Sequence, residues 1–188
     1  MLRSLRLPAL LAFALAAACS DPNAIPNASL RNELDTLTLW SLENGPLNKP
    51  TAYSLNARSG VRTWEVGTNF EFLFSVGQTG QARFIPLGAL GLASAGSVKP
   101  GLIKSSLAFD SMTKAPQNGY LTTDTILIAE GDRFYVRTAV STCALLGVPL
   151  YGRIEILDID TAASTVQFRV VGDQNCGYRG LKLGIPSS

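Results

Sequence analysis

From residue 33 onward, apolar and polar residues alternate with a period of two, which is typical of β-strands rather than helices. The clearest run puts mainly aromatic residues on one face and a mostly polar set on the other. The apolar face carries Phe70, Phe72, Phe74 and Val76, and the other face carries Glu71, Leu73 and Ser75. This pattern predicts a sheet that is covered on one side only.

Two further alternating runs, residues 153–156 and 166–170, predict a β-hairpin with a long connection over residues 158–164. β-branched and aromatic runs predict other strands at residues 36–42, 51–55, 125–129 and 133–140. Glu130, Gly131 and Asp132 predict a tight hairpin turn between the last two, with both carboxylates in solvent.

Short strands separated by 17 glycines and 10 prolines predict an all-β fold, an antiparallel β-sandwich or partly open barrel with long Gly/Pro-rich connections. Residues 86–97 and 109–118 are rich in small residues and are compatible with either a short helix or long loops. The glycines Gly88, Gly91 and Gly96 match neither a dinucleotide fingerprint nor a phosphate loop, so we expect them to provide flexible connection.

The first 20 residues have a different character and predict a cleaved secretory signal peptide. Arg3 and Arg6 precede an apolar run over residues 7–18, which is about 18 Å long as a helix and too short to span a bilayer of about 30 Å. Residues 15–19, LAAAC, resemble the lipobox of bacterial lipoproteins, with Ala16 where leucine is usual. The resemblance implies cleavage after residue 18 and acylation of Cys19. Ordinary signal peptidase could cut the same bond and leave a free N-terminal thiol.

The chain has three cysteines, an odd number for an exported protein. Acylation of Cys19 would account for the odd one and leave Cys143 and Cys176 to form a disulfide in an oxidising compartment. Two buried thiols that never meet are the alternative.

Loss of the leader removes two of the 16 basic residues and leaves 14 basic and 14 acidic ones, without a basic stripe. Nucleic acid is therefore not expected as a partner. Residues 19–32 contain two prolines and no periodicity, which predicts a flexible tether behind the lipidated cysteine, and residues 33–188 predict a single domain.

The chain contains no histidine, which excludes the commonest general base and metal ligand. We predict no catalytic, cofactor or metal site. Ser111 and Lys114 match the S-x-x-K spacing of penicillin-recognising hydrolases, but the companion motifs are missing, so an envelope hydrolase is only the alternative. Asp158, Asp160 and Asp173 with Asn175 could supply calcium ligands, but these residue types also form turns.

Seven aromatic side chains could form a stacking platform for a sugar or another flat ligand, although core or edge positions are the more common outcome. They are Trp40, Trp64, Tyr53, Tyr120, Tyr135, Tyr151 and Tyr178.

The lipobox and the tether, followed by the runs TNFEFLFSV, GDRFYVRT, LYGRIEILDID and STVQFRVV, resemble the arrangement of HmuY-type outer-membrane lipoproteins. In the folded part, the resemblance covers most of residues 50–172. The resemblance implies a β-rich, surface-exposed haem scavenger. Members of that family bind haem iron through paired histidines or methionines, whereas the mature chain here has only Met112, so no haem ligand is carried over.

The sequence thus predicts a lipoprotein of the bacterial cell envelope, at the outer membrane or periplasmic face. Its acyl chains would insert into membrane lipid and anchor the protein. Its domain would be a non-enzymatic module that binds an unknown protein or small-molecule ligand. The alternatives are the Ser/Lys hydrolase and a HmuY-like capture protein.

Overall fold

The computed structural model describes residues 24–92, 96–139, 143 and 145–186. The predicted signal peptide and the predicted acylation site, Cys19, lie outside the described residues. None of the helices in the described ranges has the length and hydropathy needed to cross a membrane.

The described chain forms two five-stranded antiparallel sheets that pack face to face, which confirms the predicted sandwich. The first sheet has the order β1-β10-β9-β8-β6, with β1 Leu34–Trp40, β6 Gly101–Ser105, β8 Arg133–Arg137, β9 Tyr151–Asp160 and β10 Thr165–Asp173. The second has the order β3-β2-β4-β5-β7, with β2 Ala52–Ser54, β3 Ser59–Val61, β4 Phe72–Val76, β5 Ala82–Pro86 and β7 Ile126–Leu127. A four-residue helix, α1, spans Thr63–Val66, and 3-10 helices span Leu87–Leu90 and Phe109–Ser111.

Aromatic rings from both sheets meet in the main core. Phe84 of β5 lies 4.3 Å from Phe72 of the same sheet, measured between ring centroids. It also lies 5.9 Å from Phe134 and 6.3 Å from Phe168 of the first sheet. All four rings are fully buried and form part of the core between the two sheets.

The prediction that the sheet is covered on one side only is wrong for β4. Phe72, Phe74 and Val76 face the main core, but Leu73 packs with Phe70 in a second cluster behind the sheet. Helix α1 and the 3-10 helix Leu87–Leu90 lie beside this cluster and cover the face that the sequence assigns to solvent. Sequence alternation reports side-chain direction, and it cannot show that a later segment folds over the outer face.

The outer face of the first sheet is covered as well. Phe109, in the 3-10 helix after β6, contacts the guanidinium groups of Arg153 and Arg169, which lie 4.4 and 4.3 Å from its ring centroid. Arg153 Nη1 donates to the carbonyl oxygen of Phe109 at 2.6 Å. Glu155 is buried and accepts from Arg133 and Arg169, so this polar residue of β9 lies in ion pairs rather than in solvent.

The hairpin prediction is confirmed for β9 and β10, although only residues 161–164 connect them because the strands extend further than predicted. The hairpin predicted around Gly131 is wrong. A turn does form there, but β7 and β8 belong to different sheets, so the chain crosses the sandwich at this point. Gly131 N donates to Ile156 O, and Asp132 Oδ2 accepts from Lys104 and Ala129 N.

Candidate functional site

A disulfide joins Cys143 to Cys176, with the Cα atoms 5.7 Å apart, so the predicted pairing is present. It ties the loop that follows β10 to the segment that precedes β9. Gly177 N donates to Pro149 O at 3.2 Å beside it. The disulfide therefore fixes the distance between two loops at one end of the first sheet.

These loops and residues 114–118 surround two adjoining cavities of about 240 and 390 Å³, which we call the cationic groove. The two cavities share Ile25, Gly177 and Arg179. Lys114 and Tyr178 complete the smaller cavity, and Arg137 and Tyr151 are among the residues that complete the larger one. Together they have room for a small organic ligand.

Arg137 is held in place by main-chain carbonyl groups. Its guanidinium donates to Lys99 O at 3.1 Å and to Gln117 O at 3.2 Å, and it lies 4.4 Å from the centroid of the Tyr120 ring. These contacts orient the side chain without neutralising its charge.

Arg179 and Lys114 are similarly positioned by backbone contacts. Arg179 Nη1 donates to Ala115 O at 3.3 Å, and Ala115 N donates to Arg179 O at 2.8 Å. Lys114 pairs with Gly180 in an isolated antiparallel bridge, and its side chain is exposed. Two short segments therefore present both cations at the smaller cavity.

All the charged side chains that line the described groove are positive. No aspartate or glutamate is among the described residues that line either cavity. The ion pairs found in the described part of the chain involve other basic residues. A concave surface with three cations of this kind attracts anions and repels cations.

Tyr151 lines the groove and Tyr120 packs behind it, and the charges of Arg137 and Arg179 act on both phenols. Burial raises the pKa of the Tyr151 phenol, and the positive charges of Arg137 and Arg179 oppose the rise. Burial likewise raises the pKa of Tyr120, whose hydroxyl donates to Pro116 O at 2.9 Å. Both phenols stay neutral at physiological pH, so Tyr151 offers a hydrogen-bonding hydroxyl beside the two guanidinium groups.

The end of the predicted tether forms part of the groove wall. Ala28 N donates to the Tyr178 hydroxyl at 3.1 Å, and Ser29 N and Leu30 N donate to Asn175 Oδ1 at 2.8 and 2.9 Å. Asn175 is itself held by Asp173, whose burial raises the pKa of its carboxyl to about 6. Residues 28–30 are thus attached to the domain, and Ile25 reaches the groove.

The Ser111 and Lys114 pair lacks the geometry that its motif requires. Ser111 is the last residue of a 3-10 helix, whereas Lys114 lies in extended chain paired with Gly180. The motif depends on one continuous helical turn that brings the amine to the hydroxyl. Lys114 belongs instead to the cationic groove.

The acidic residues near the turns accept hydrogen bonds from main-chain N–H groups, locally for Asp160 and Asp173 and across to β9 for Glu130. Asp160 Oδ1 accepts from Ala163 N at 2.8 Å, Asp173 Oδ1 accepts from Asn175 N at 2.9 Å, and Glu130 Oε1 accepts from Ile159 N at 3.2 Å. Within the described ranges, no three His, Cys, Asp or Glu side chains converge as a metal site would require. Gly88 does not act as a flexible link, because it lies in a 3-10 helix where a Cβ would collide with Thr122 O.

The aromatic residues do not form one platform. Tyr53 is in the main core, and Tyr120, Tyr135 and Tyr151 pack with the fully buried Met112 in a separate cluster behind the first sheet. Trp64 is 58 % exposed, beside an apolar depression of about 380 Å³ on the second sheet. Only Tyr151 and Tyr178 reach the cationic groove.

Sequence reasoning missed Arg137 and Arg179 as site residues. They stand 42 positions apart among basic residues that are scattered singly, and no motif marks either one. The one signal nearby was the cysteine pair, because Cys176 lies three residues before Arg179. Comparisons with protein-family models, curated proteins and solved structures find no match, so the function must be argued from this geometry.

Proposed function

We propose that the chain is a lipid-anchored protein of the bacterial cell envelope that binds an anionic ligand, without catalysis, in the cationic groove. The observation that carries the proposal is the set of three cations, Lys114, Arg137 and Arg179, around two adjoining cavities whose described lining contains no acid. The leader and Cys19 support the location, and the disulfide fits an oxidising compartment.

The groove favours a ligand with both a negative and an apolar part. Guanidinium groups bind carboxylates and phosphates through paired hydrogen bonds. Val148, Pro149 and the side of the Tyr151 ring offer apolar surface in the larger cavity. A small carboxylate or phosphate monoester that carries a ring or a short apolar chain fits this combination.

We expect phenyl phosphate to bind the wild-type protein more tightly than benzyl alcohol, its neutral counterpart, because only the ester can pair with the cations. Arg179→Gln and Lys114→Gln should each weaken phenyl phosphate binding about tenfold or more, since an ionic hydrogen bond contributes about 1.5 kcal/mol or more. Dissociation constants from ¹H–¹⁵N NMR titrations at low salt measure the effect.

Arg62→Gln is the matched control, because Arg62 pairs with Glu65 at helix α1, away from the groove. It should leave the affinity unchanged. Equal affinities for phenyl phosphate and benzyl alcohol, or equal losses in Arg62→Gln and Arg179→Gln, would contradict an anion site here.

Metabolic labelling with an alkyne fatty acid tests the anchor. The wild-type protein should be labelled and Cys19→Ser should not, because acylation requires the Cys19 sulfur. Cys143→Ser, which keeps Cys19, is the control and should retain the label. Equal labelling of wild type and Cys19→Ser would refute the anchor, and a processed chain without label would show ordinary secretion.

A further inference from the structure

The two ends of the described chain meet in a surface that we call the terminal face, formed by Leu30, Arg31, Lys182, Leu183 and Ile185. Asn32 and Gly184 form an antiparallel bridge, with hydrogen bonds of 2.7 and 3.0 Å between their main chains. Asn32 turns inward and donates to the carbonyl oxygens of Gly180 and Lys182 at 2.7 and 3.0 Å. Arg31, Leu183 and Ile185, next to this pair, therefore project outward, and Leu30 and Lys182 beside them are exposed.

The terminal face combines exposed apolar side chains with positive charge. Leu183, Ile185 and Leu30 are 59, 57 and 49 % exposed, and Arg31 and Lys182 are exposed beside them. Glu33, the nearest acid along the chain, is paired with Arg58. Exposed aliphatic side chains flanked by cations are the combination that favours the interface of an anionic bilayer.

The length of chain ahead of this face sets its distance from the anchor. Ala28 is fixed to Tyr178, and nine residue steps separate it from Cys19. That span is at most about 32 Å when fully extended. A domain of this size is itself about 40 Å across, so an acylated Cys19 keeps the terminal face closer to the lipid than the opposite end of β1.

We propose that the terminal face rests on the anionic bilayer surface that holds the acylated Cys19, with Leu183 and Ile185 in the headgroup region. This inference depends on the proposed anchor. The apolar residues add hydrophobic contact, and the two cations pair with lipid phosphates. The cationic groove is then held at a fixed height above the membrane instead of moving on a free tether.

Chemical tethering tests the orientation without relying on acylation in cells. With Cys143 and Cys176 bonded to each other, Cys19 is the one cysteine of the mature chain outside the disulfide. It can be coupled to a maleimide lipid in vesicles of phosphatidylethanolamine and phosphatidylglycerol. A tryptophan reporter at Leu183→Trp then measures proximity through quenching by lipids brominated near the headgroup.

Leu47→Trp is the matched control, because Leu47 is 84 % exposed and follows the opposite end of β1. After subtraction of the wild-type signal from Trp40 and Trp64, we expect the reporter at residue 183 to be quenched at least twice as strongly as the one at residue 47. Arg31→Gln together with Lys182→Gln should reduce that difference. Equal quenching at both positions would overturn the proposed orientation.

The experiments can refute the acyl anchor and the orientation of the terminal face independently of each other. Absence of fatty-acid label in cells would refute the native anchor, whereas the quenching of the chemically tethered protein would still report which face lies against lipid. Normal labelling together with equal quenching would refute the terminal face alone.

Discussion

Raising the pH from 5 to 9 is expected to lower the free energy of unfolding by about 4 kcal/mol through Glu71 alone. Glu71 directly precedes β4 and is buried, and desolvation raises the pKa of its carboxyl from 4.5 to about 8. Between these values the folded protein holds a proton that the unfolded chain has released. Stability therefore falls as the pH rises toward 8 and levels off above it.

Glu71→Gln should remove most of this pH dependence, because the amide resembles the protonated acid and its oxygen can still accept from Leu55 N, which lies 2.6 Å from Glu71 Oε2. The variant should be more stable than wild type at pH 9 and close to it at pH 5. Urea denaturation at several pH values measures the difference. Asp173, with its pKa raised to about 6, adds a smaller loss of the same sign, about 1 kcal/mol, in the lower part of the range.

Exposed Glu130→Gln serves as the control for the substitution itself. The range begins at pH 5 because a hydrogen bond from Ser75, with the Arg83 ion pair, lowers the pKa of Glu43. Burial opposes the fall in the pKa of Glu155, but Arg133 and Arg169 lower it overall, so the stabilising contribution of both carboxylates is lost only in more acidic solution. A wild-type profile that is flat between pH 6 and 8, or one that Glu71→Gln leaves unchanged, would contradict the buried carboxyl.

Reduction of the Cys143–Cys176 disulfide is expected to lower the free energy of unfolding by about 3 to 4 kcal/mol. The bond joins residues separated by 33 positions and so restricts the unfolded chain. For a domain of this length, the loss corresponds to a fall of about 10 °C in Tm. Calorimetry of the mature protein with and without reductant measures it.

The same reduction should weaken phenyl phosphate binding, because the bridge holds the loop that carries Tyr178 and Arg179. Cys19→Ser is the control, since it removes a thiol without opening the bridge, and it should leave both Tm and affinity unchanged. An unchanged melting curve, with two thiols titratable in the unfolded Cys19→Ser protein before reductant is added, would refute the disulfide.

The sandwich could be predicted because its longest strands are amphipathic and its turns are rich in glycine and proline. Phe168 and Ile154 alternate with polar or charged neighbours in their own strands, and that local pattern was sufficient to identify β9 and β10. Strands β3, β5 and β6 were missed. They are short, and they depend on their neighbours in the sheet rather than on a strong pattern of their own.

The chain crosses between the two sheets at Gly131, and the turn sequence there does not predict this crossing. A tight turn between two strand-like segments favours a hairpin, and the turn is indeed present. Its backbone bonds to Ile156, however, and the two strands enter opposite sheets. Which sheet a strand joins depends on long-range packing, about which a turn sequence carries no information.

By itself, the sequence determined the all-β class, the candidate pairing of Cys143 with Cys176 and the absence of histidine, while the export signal and the acylation of Cys19 stay predictions. Each of these follows from a local pattern or from residue counts. Only the tertiary structure decided the burial of Glu71 and the covering of both outer faces. It also decided the meeting of Lys114, Arg137 and Arg179, because convergence of residues far apart in the chain depends on how the sheets and loops pack.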